Sequence, residues 1–238
     1  MLDKFLCFLD DAFSFANDVV DVIGNMKDAE YEAKILREID ETAGQGAAQL
    51  ALIGADYHNG ENGKPQNSAI AALYFMKAAE MGDDGAQNVL GVFYWQGIGV
   101  TEDLDKARHW LLKSYQQCNA AAAGHLGILL LSDEHYDPNI SILALEYAGT
   151  NGDAESQTHL INYYIEHDVL RDYEKAAYWA RKAAENGVEG AEELYKGLKE
   201  EGHIDTPLLL FGMYTDGEYG KEKDMEKAAY WRDKIEQE

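Results

Sequence analysis

The sequence predicts an all-α protein in which pairs of helices stack into an α-solenoid. Only three prolines, Pro65, Pro138 and Pro207, occur in 238 residues. Apolar residues recur at spacings of three and four, and Gly, Asn and Asp separate the alanine-rich stretches, a pattern typical of helices joined by short turns. A motif of about 35 residues also returns along the chain, which indicates a repeat architecture.

The first 43 residues lie outside the periodic part and read as two helices. The apolar stripes on these helices consist of Phe5, Leu6, Leu9, Phe13, Val20 and Ile23, then Tyr31, Ile35, Leu36 and Ile39. Because a solenoid must cover the apolar face of its terminal repeat, we expect residues 1–43 to form an N-terminal cap. The alternative is that the first helix docks a partner or forms a homodimer contact. We expect no secretion signal, since Asp10 and Asp11 interrupt the apolar run.

Five helix hairpins follow the cap in this interpretation. Their predicted bounds are 46–82, 83–118, 119–152, 153–187 and 204–238, with an inserted helix at 188–203. In the second unit, Ala86, Leu90 and Tyr94 are four residues apart and therefore share one helical face. Gly91 leaves room for the neighbouring helix to approach closely. Trp110 belongs to the complementary ridge of the second helix.

Aspartates precede or begin the second helix of several units, where a carboxylate can accept hydrogen bonds from unpaired backbone N–H groups. Asp105, Asp172 and Asp224 are the residues predicted for this role. They mark the starts of the second helices in the second, fourth and fifth units.

The repeated pattern A-x3-L-G-x2-Y-x2-G-x-G, followed by D-x-x-K-A-x2-W-x2-K-A-A, resembles the Sel1-like repeat family, which is related to the tetratricopeptide repeats. The resemblance covers residues 46–238 and is closest from Ala86 to Lys113. The third unit departs most, with Leu130, Asp133 and Ala144 in place of the tyrosine, glycine and tryptophan. The resemblance implies a right-handed α-solenoid that binds proteins and has no chemistry of its own.

The resemblance also implies that the first helix of each pair lines the concave side, and that a partner contacts positions beside the packing stripe. The residues predicted to bind are Asn88, Trp95, Gln96, Ile128, Leu131, Thr158, Asn162 and Ile165. Trp95 and Ile165 are anchors if they are exposed and core residues if they fill gaps between helices.

The charge of the chain favours a basic partner. Asp and Glu number 44 against 20 Lys and Arg, a formal net charge of −24, which repels nucleic acid and anionic membranes. Residues 114–170 contain no Lys or Arg but eight acidic residues, including Glu155 and Glu166. We expect this stretch to steer a positive protein toward the chain; the alternative is that it only confers solubility.

No catalytic or metal-binding motif stands out, so we expect neither an enzyme nor a cofactor. The seven histidines have no metal-ligand spacing, and Gly97-Ile98-Gly99 follows a predicted helix rather than a strand. Asp133-Glu134-His135-Tyr136-Asp137 is read as a solvated loop, with a cation site as the alternative.

Two function classes remain open. One is an adaptor or scaffold that binds a basic protein, and the other is a bacterial immunity protein that binds and neutralises a secreted toxin. Cys7 and Cys118 form no disulfide framework, and we expect a cytoplasmic protein.

Overall fold

The computed structural model describes residues 29–132, 138–166, 172–200 and 224–235. All regular secondary structure in these ranges is helical, as the sequence predicts. The helices, numbered in chain order within the described residues, are α1 Ala29–Ala43, α2 Ala47–Asn59, α3 Ser68–Glu80, α4 Asp84–Gln96, α5 Leu104–Gln116, α6 Ala120–Leu131, α7 Pro138–Thr150, α8 Ala154–Glu166, α9 Tyr173–Glu185, α10 Ala191–Glu200 and α11 Met225–Ile235. None of these described helices has the length and apolar character needed to cross a membrane.

The chain forms two compact units, residues 1–144 and 145–238, and the boundary falls within α7. In the first unit, α2 packs on α3 and α4 packs on α5, so consecutive helices form antiparallel pairs. The core between them consists of fully buried side chains, among them Leu50, Ile70, Leu90, Leu111 and Leu126. In the second unit, α8 packs on α9 and α9 on α10.

Asparagine and aspartate side chains begin several helices. Asn67 caps α3, Asp83 caps α4 and Asn119 caps α6, in each case by accepting a hydrogen bond from a backbone N–H of the first turn. The predictions for Asp172 and Asp224 are confirmed, since they accept from the N–H groups of Lys175 and Lys227 at 3.0 Å.

The prediction for Asp105 is wrong, because Asp103 caps α5. The Asp103 carboxylate accepts from the N–H groups of Asp105 and Lys106 at 3.1 and 3.0 Å. Asp103 stands three residues before the Lys106-Ala107 pair, at the same spacing as Asp172 before Lys175-Ala176. Asp105 lies inside the first turn, where its charge still favours the positive end of the helix dipole.

Close approach of α4 and α5 depends on Gly91, as predicted. A Cβ atom at this position would lie 2.6 Å from Leu111 Cγ and 3.1 Å from the backbone N of Leu111. Carbon atoms in contact are separated by about 3.5–4.0 Å, so no larger residue fits without moving α5.

A lysine covers the tyrosine of the first helix in three hairpins. The ammonium nitrogens of Lys64, Lys106 and Lys175 lie 4.8, 5.2 and 4.9 Å from the ring centroids of Tyr57, Tyr94 and Tyr164, respectively. Each distance is within the range of a cation–π interaction. Lys106 and Lys175 lie in the first turn of the second helix, whereas Lys64 reaches its tyrosine from the α2–α3 loop.

Buried glutamines connect successive helices in both units. Gln87 Nε2 donates to the carbonyl of Ala79 at 3.0 Å, while its Oε1 accepts from Gln117 at 2.8 Å. In the second unit, Gln157 donates to the carbonyl of Gly149 at 2.8 Å and accepts from Asn186 at 3.1 Å. Because an unpaired buried amide is costly, these bonds hold each first helix in one register against its neighbours.

Helix α1 packs on the first hairpin through one apolar face. Ile35 and Ile39 are buried there, whereas Lys34, Arg37 and Asp40 on the opposite side are exposed. Lys64 Nζ lies 2.7 Å from Glu38 Oε1 and joins the α2–α3 loop to α1. The hydrogen bond from Lys64 lowers the pKa of Glu38, and the same bond raises the pKa of Lys64.

We expect Glu38→Gln to reduce the free energy of unfolding by about 1 kcal/mol or less at pH 7, because the ion pair is partly open to water. Glu38 has a lowered folded pKa, so its contribution is present above its unfolded pKa of about 4.3 and is lost as the pH falls through the folded value. Lys64 has a raised folded pKa, so its contribution is lost as the pH rises beyond about 10.4.

Urea unfolding of the wild type and of Glu38→Gln, at acidic, neutral and alkaline pH, measures the difference in free energy of unfolding. The control is Asp40→Asn, which removes a longer ion pair to Lys77 at 3.9 Å in which the Asp40 side chain is 77% exposed, and it should change the free energy of unfolding less. A difference between the wild type and Glu38→Gln that persists at low pH would contradict the prediction.

Candidate protein-binding surface

The first unit places five of the predicted binding residues on α4 and α6. Asn88 is partly buried, and its Oδ1 lies 2.8 Å from Nδ1 of His125, which connects α4 to α6. Gln96 is exposed, and Ile128 and Leu131 are half-buried on α6. These side chains therefore belong to two neighbouring first helices.

Trp95 combines features of an anchor and of a core residue. Its side chain is half-buried and packs against the hydrophobic core of the first unit. It is more exposed than Trp110, which is 7% exposed on the second helix. Part of the Trp95 ring is thus held by the protein, while the remainder faces solvent.

The second unit places the other predicted residues on α8. Glu155, Thr158, Asn162 and Glu166 are exposed and follow one another at spacings of three and four, so they lie along one side of the helix. Ile165 beside them is half-buried. The Thr158 hydroxyl donates to the carbonyl of Ala154 at 2.9 Å. This surface is polar and ends in a carboxylate near each terminus of α8.

The acidic residues of the stretch 114–170 differ in whether their carboxylates already accept a hydrogen bond within the protein. Glu146 accepts a hydrogen bond from the Tyr164 hydroxyl at 3.0 Å, and Asp153 accepts from the backbone N–H of Ser156. Burial, followed by the charge of Glu146, raises the pKa of Tyr164, so this hydroxyl remains a donor. Glu155 and Glu166 form no ion pair or hydrogen bond with the described residues. Of the carboxylates on α7 and α8, these two are therefore free to contact a partner protein.

The described residues contain no group of three or more His, Cys, Asp or Glu side chains placed to hold a metal ion. The candidate cation site at Asp133–Asp137 lies outside the described residues. One described histidine, His58, has a packing role: its Nδ1 lies 3.3 Å from the Ser68 hydroxyl, and its ring packs on Phe93.

Sequence reasoning missed three residues beside the predicted set. Val92 and His125 are half-buried between the predicted positions of α4 and α6, and Leu52 on α2 is 55% exposed. The repeat register could have found Val92, because it lies one turn from Asn88 and from Trp95. It could not have found the exposure of Leu52, which depends on how much of α2 is left uncovered by α1.

The comparisons with known proteins agree with this fold. The family model described as Sel1 repeat matches residues 45–83, 85–117, 163–188 and 209–231. The unmatched interval 118–162 contains the third unit, in which Leu130 and Ala144 replace the tyrosine and tryptophan. No curated protein matches the chain.

Two solved structures are similar. A Sel1 repeat protein from Oxalobacter formigenes is 24% identical, with a TM-score of 0.57 over 79% of this chain and 84% of that one. The protein c5321, a protective antigen of uropathogenic Escherichia coli strains with an SLR fold, is 23% identical, with a TM-score of 0.59. That match covers 91% of this chain, which spans 51% of the length of c5321.

The fold class predicted from the sequence, an all-α solenoid of Sel1-like hairpins, is confirmed by the helices and by both structural neighbours. The Sel1 repeat is a non-catalytic fold that generally mediates protein–protein interactions. Because the family model matches half of the residues, in four separate repeats, the chain belongs to the Sel1 repeat family.

Proposed function

We propose that this protein is a non-catalytic binding module that engages a basic partner protein as an adaptor or scaffold. The observation that carries the proposal is the exposed side of α8, where Glu155 and Glu166 have no partner among the described residues. Both lie in the stretch 114–170, which contains no Lys or Arg to neutralise them. The exposed side of α8 therefore carries negative charge, and no residue of α8 itself is a Lys or Arg.

The expected role of these carboxylates is to accelerate association. Exposed charges act over about 8 Å at physiological ionic strength, so they influence an approaching partner before contact. The bound state depends more on partly desolvated apolar side chains, for which Trp95 and Ile165 are the candidates. Each is half-buried, so it can lose its remaining solvent contact without a change of fold.

The test uses the partner protein itself, isolated with the wild-type chain as bait, identified and then purified separately. We expect Glu155→Lys and Glu166→Lys each to slow association measured by stopped-flow, with a rate that falls steeply as salt increases. Trp95→Ala and Ile165→Ala should instead speed dissociation, because they remove contact area rather than long-range charge.

The matched control is Glu226→Lys, the same charge reversal at an exposed residue of α11. It should leave the association rate close to that of the wild type. A rate that does not depend on salt, or an equal effect from Glu226→Lys and the two α8 reversals, would overturn the proposal.

A further inference from the structure

The first helices of the first unit are unusually poor in charge. Helices α2, α4 and α6 contain 13, 13 and 12 residues, and their charged side chains are Asp56 and Asp84. The overall charged fraction of 27% would place about ten in a segment of this length. The second helices α3 and α5 follow the average, with six charged residues: Lys77, Glu80, Asp105, Lys106, Arg108 and Lys113.

The two carboxylates that do occur each accept a hydrogen bond from a neutral side chain of the protein. Asp56 accepts a hydrogen bond from the Asn62 side chain at 2.8 Å, and Asp84 accepts from Asn119 at 2.7 Å. Apart from Asp56 and Asp84, no Asp, Glu, Lys or Arg lies on α2, α4 or α6.

Burial alone does not explain this depletion. Positions three and four residues apart form one solvent-accessible side of each helix, which we call the uncharged face; it consists of Leu52, Ala55, Val92, Trp95, Ile128 and Leu131. Leu52 is 55% exposed, and the other five are partly buried; Ala55, Val92 and Trp95 pack against the core with one side and reach water with the other. Exposed apolar side chains grouped on one surface are characteristic of an interaction site.

Free carboxylates stand at one end of the uncharged face. The Glu61 N–H donates to the Asp56 carbonyl at the C-terminal end of α2. The Cβ of Glu102 lies beside Gly97, which ends α4. Both side chains are exposed and have no ion pair or hydrogen bond within the described residues. The C-terminal ends of the two helices add their partial negative charge at the same place.

From this pattern we infer that the uncharged face binds a peptide segment of a partner protein that has an apolar centre and basic residues at one end. The apolar centre matches the uncharged face, and the basic end matches Glu61 and Glu102. A second copy of this chain fits less well, since each copy carries a net charge of −24 and would bring its own carboxylates close to Glu61 and Glu102. The inference rests on the proposed binding function and specifies the chemistry of the partner.

The experiment selects short random peptides displayed on phage against the wild-type protein, and then measures each enriched peptide as a synthetic probe by fluorescence anisotropy. We expect enrichment of peptides with consecutive apolar residues followed or preceded by Lys and Arg. Leu52→Glu should weaken binding about tenfold or more, because it buries an unpaired charge against the apolar segment. Leu52 is exposed in the free protein, so the change does not disturb the core.

The matched control is Gln116→Glu, which adds the same charge at an exposed position of the second helix α5. It should change affinity by less than about twofold. The double variant Glu61→Gln, Glu102→Gln removes both carboxylates at the end of the uncharged face. It should reduce the salt dependence of peptide binding, while the preference for apolar peptide residues remains. Analytical ultracentrifugation of the wild type and Leu52→Glu reports self-association on the same samples.

Several results would overturn the inference: failure to enrich any peptide, enrichment of peptides charged throughout, or equal losses in Gln116→Glu and Leu52→Glu. A wild-type dimer that Leu52→Glu dissociates would assign the uncharged face to a second copy instead. The proposed function fails separately, through partner association that Glu155→Lys and Glu166→Lys leave unchanged. The peptide selection does not depend on those two residues.

Discussion

Gly99→Ala is expected to destabilise the first unit by more than about 3 kcal/mol, because two costs combine at this position. The backbone of Gly99 has φ +69°, which an L residue adopts only with strain. A Cβ atom there would also lie 2.2 Å from the carbonyl oxygen of Ser68 and 2.7 Å from the backbone N of Ala69. These are main-chain atoms at the start of α3, so the neighbouring helix itself would have to move.

Gly63→Ala is the control for Gly99, since it has a similar φ of +76° but no atom near the site of a new Cβ. It should cost only the strain of the left-handed conformation, about 1–2 kcal/mol. Urea unfolding followed by circular dichroism measures both variants. Equal decreases in the free energy of unfolding would show that the close contact with α3 contributes nothing. Gly99 would then be required only for its left-handed backbone conformation.

Trp110→Ala and Trp179→Ala are each expected to cost about 3–5 kcal/mol, because truncation of a buried tryptophan leaves a cavity. The two rings are 7% and 3% exposed, and they occupy equivalent places in the second helices of the second and fourth hairpins. Trp179 additionally packs against Gly149, where a Cβ would lie 2.8 Å from ring atom Cζ3. The space around Trp179 is therefore shaped for a ring and cannot close over a small residue without a shift of backbone.

Tyr230→Ala provides the comparison for the two tryptophans, because its ring is 55% exposed. The free energy of unfolding of Tyr230→Ala should differ from that of the wild type by less than about 0.5 kcal/mol. Thermal and urea unfolding of the three variants test the register of the hairpins directly. Unchanged stability in Trp110→Ala or Trp179→Ala would mean that the assigned second-helix faces are incorrect.

The sequence was sufficient for features that depend on local spacing. The helical period, the pairing of first and second helices, the close approach at Gly91 and the caps at Asp172 and Asp224 all arise within one repeat. Repetition strengthens such signals, since the same spacing appears several times in one chain. The error at Asp105 was also local: two aspartates are separated by one residue, and only the hydrogen bonds show that Asp103 is the cap.

The binding surface was predictable only in part. Repeat register placed four polar residues on accessible sides of first helices; Gln96, Thr158 and Asn162 are exposed there, whereas Asn88 is partly buried against His125. It did not distinguish Glu146, bound to Tyr164, from Glu155, which remains free. Equal carboxylates in the sequence thus acquire different roles through contacts with residues elsewhere in the fold.

By itself, then, the sequence determined the all-α class, the family and the strongly acidic character. Composition and the short spacing of residues are local properties that do not depend on which distant residues come into contact. Tertiary structure decided which charges are compensated and which apolar side chains reach water. Glu38 forms an ion pair with Lys64, which is 26 residues away, and Leu52 is exposed because neighbouring helices leave it uncovered. Pairing and exposure depend on which distant residues meet when helices pack, and no local pattern encodes that geometry.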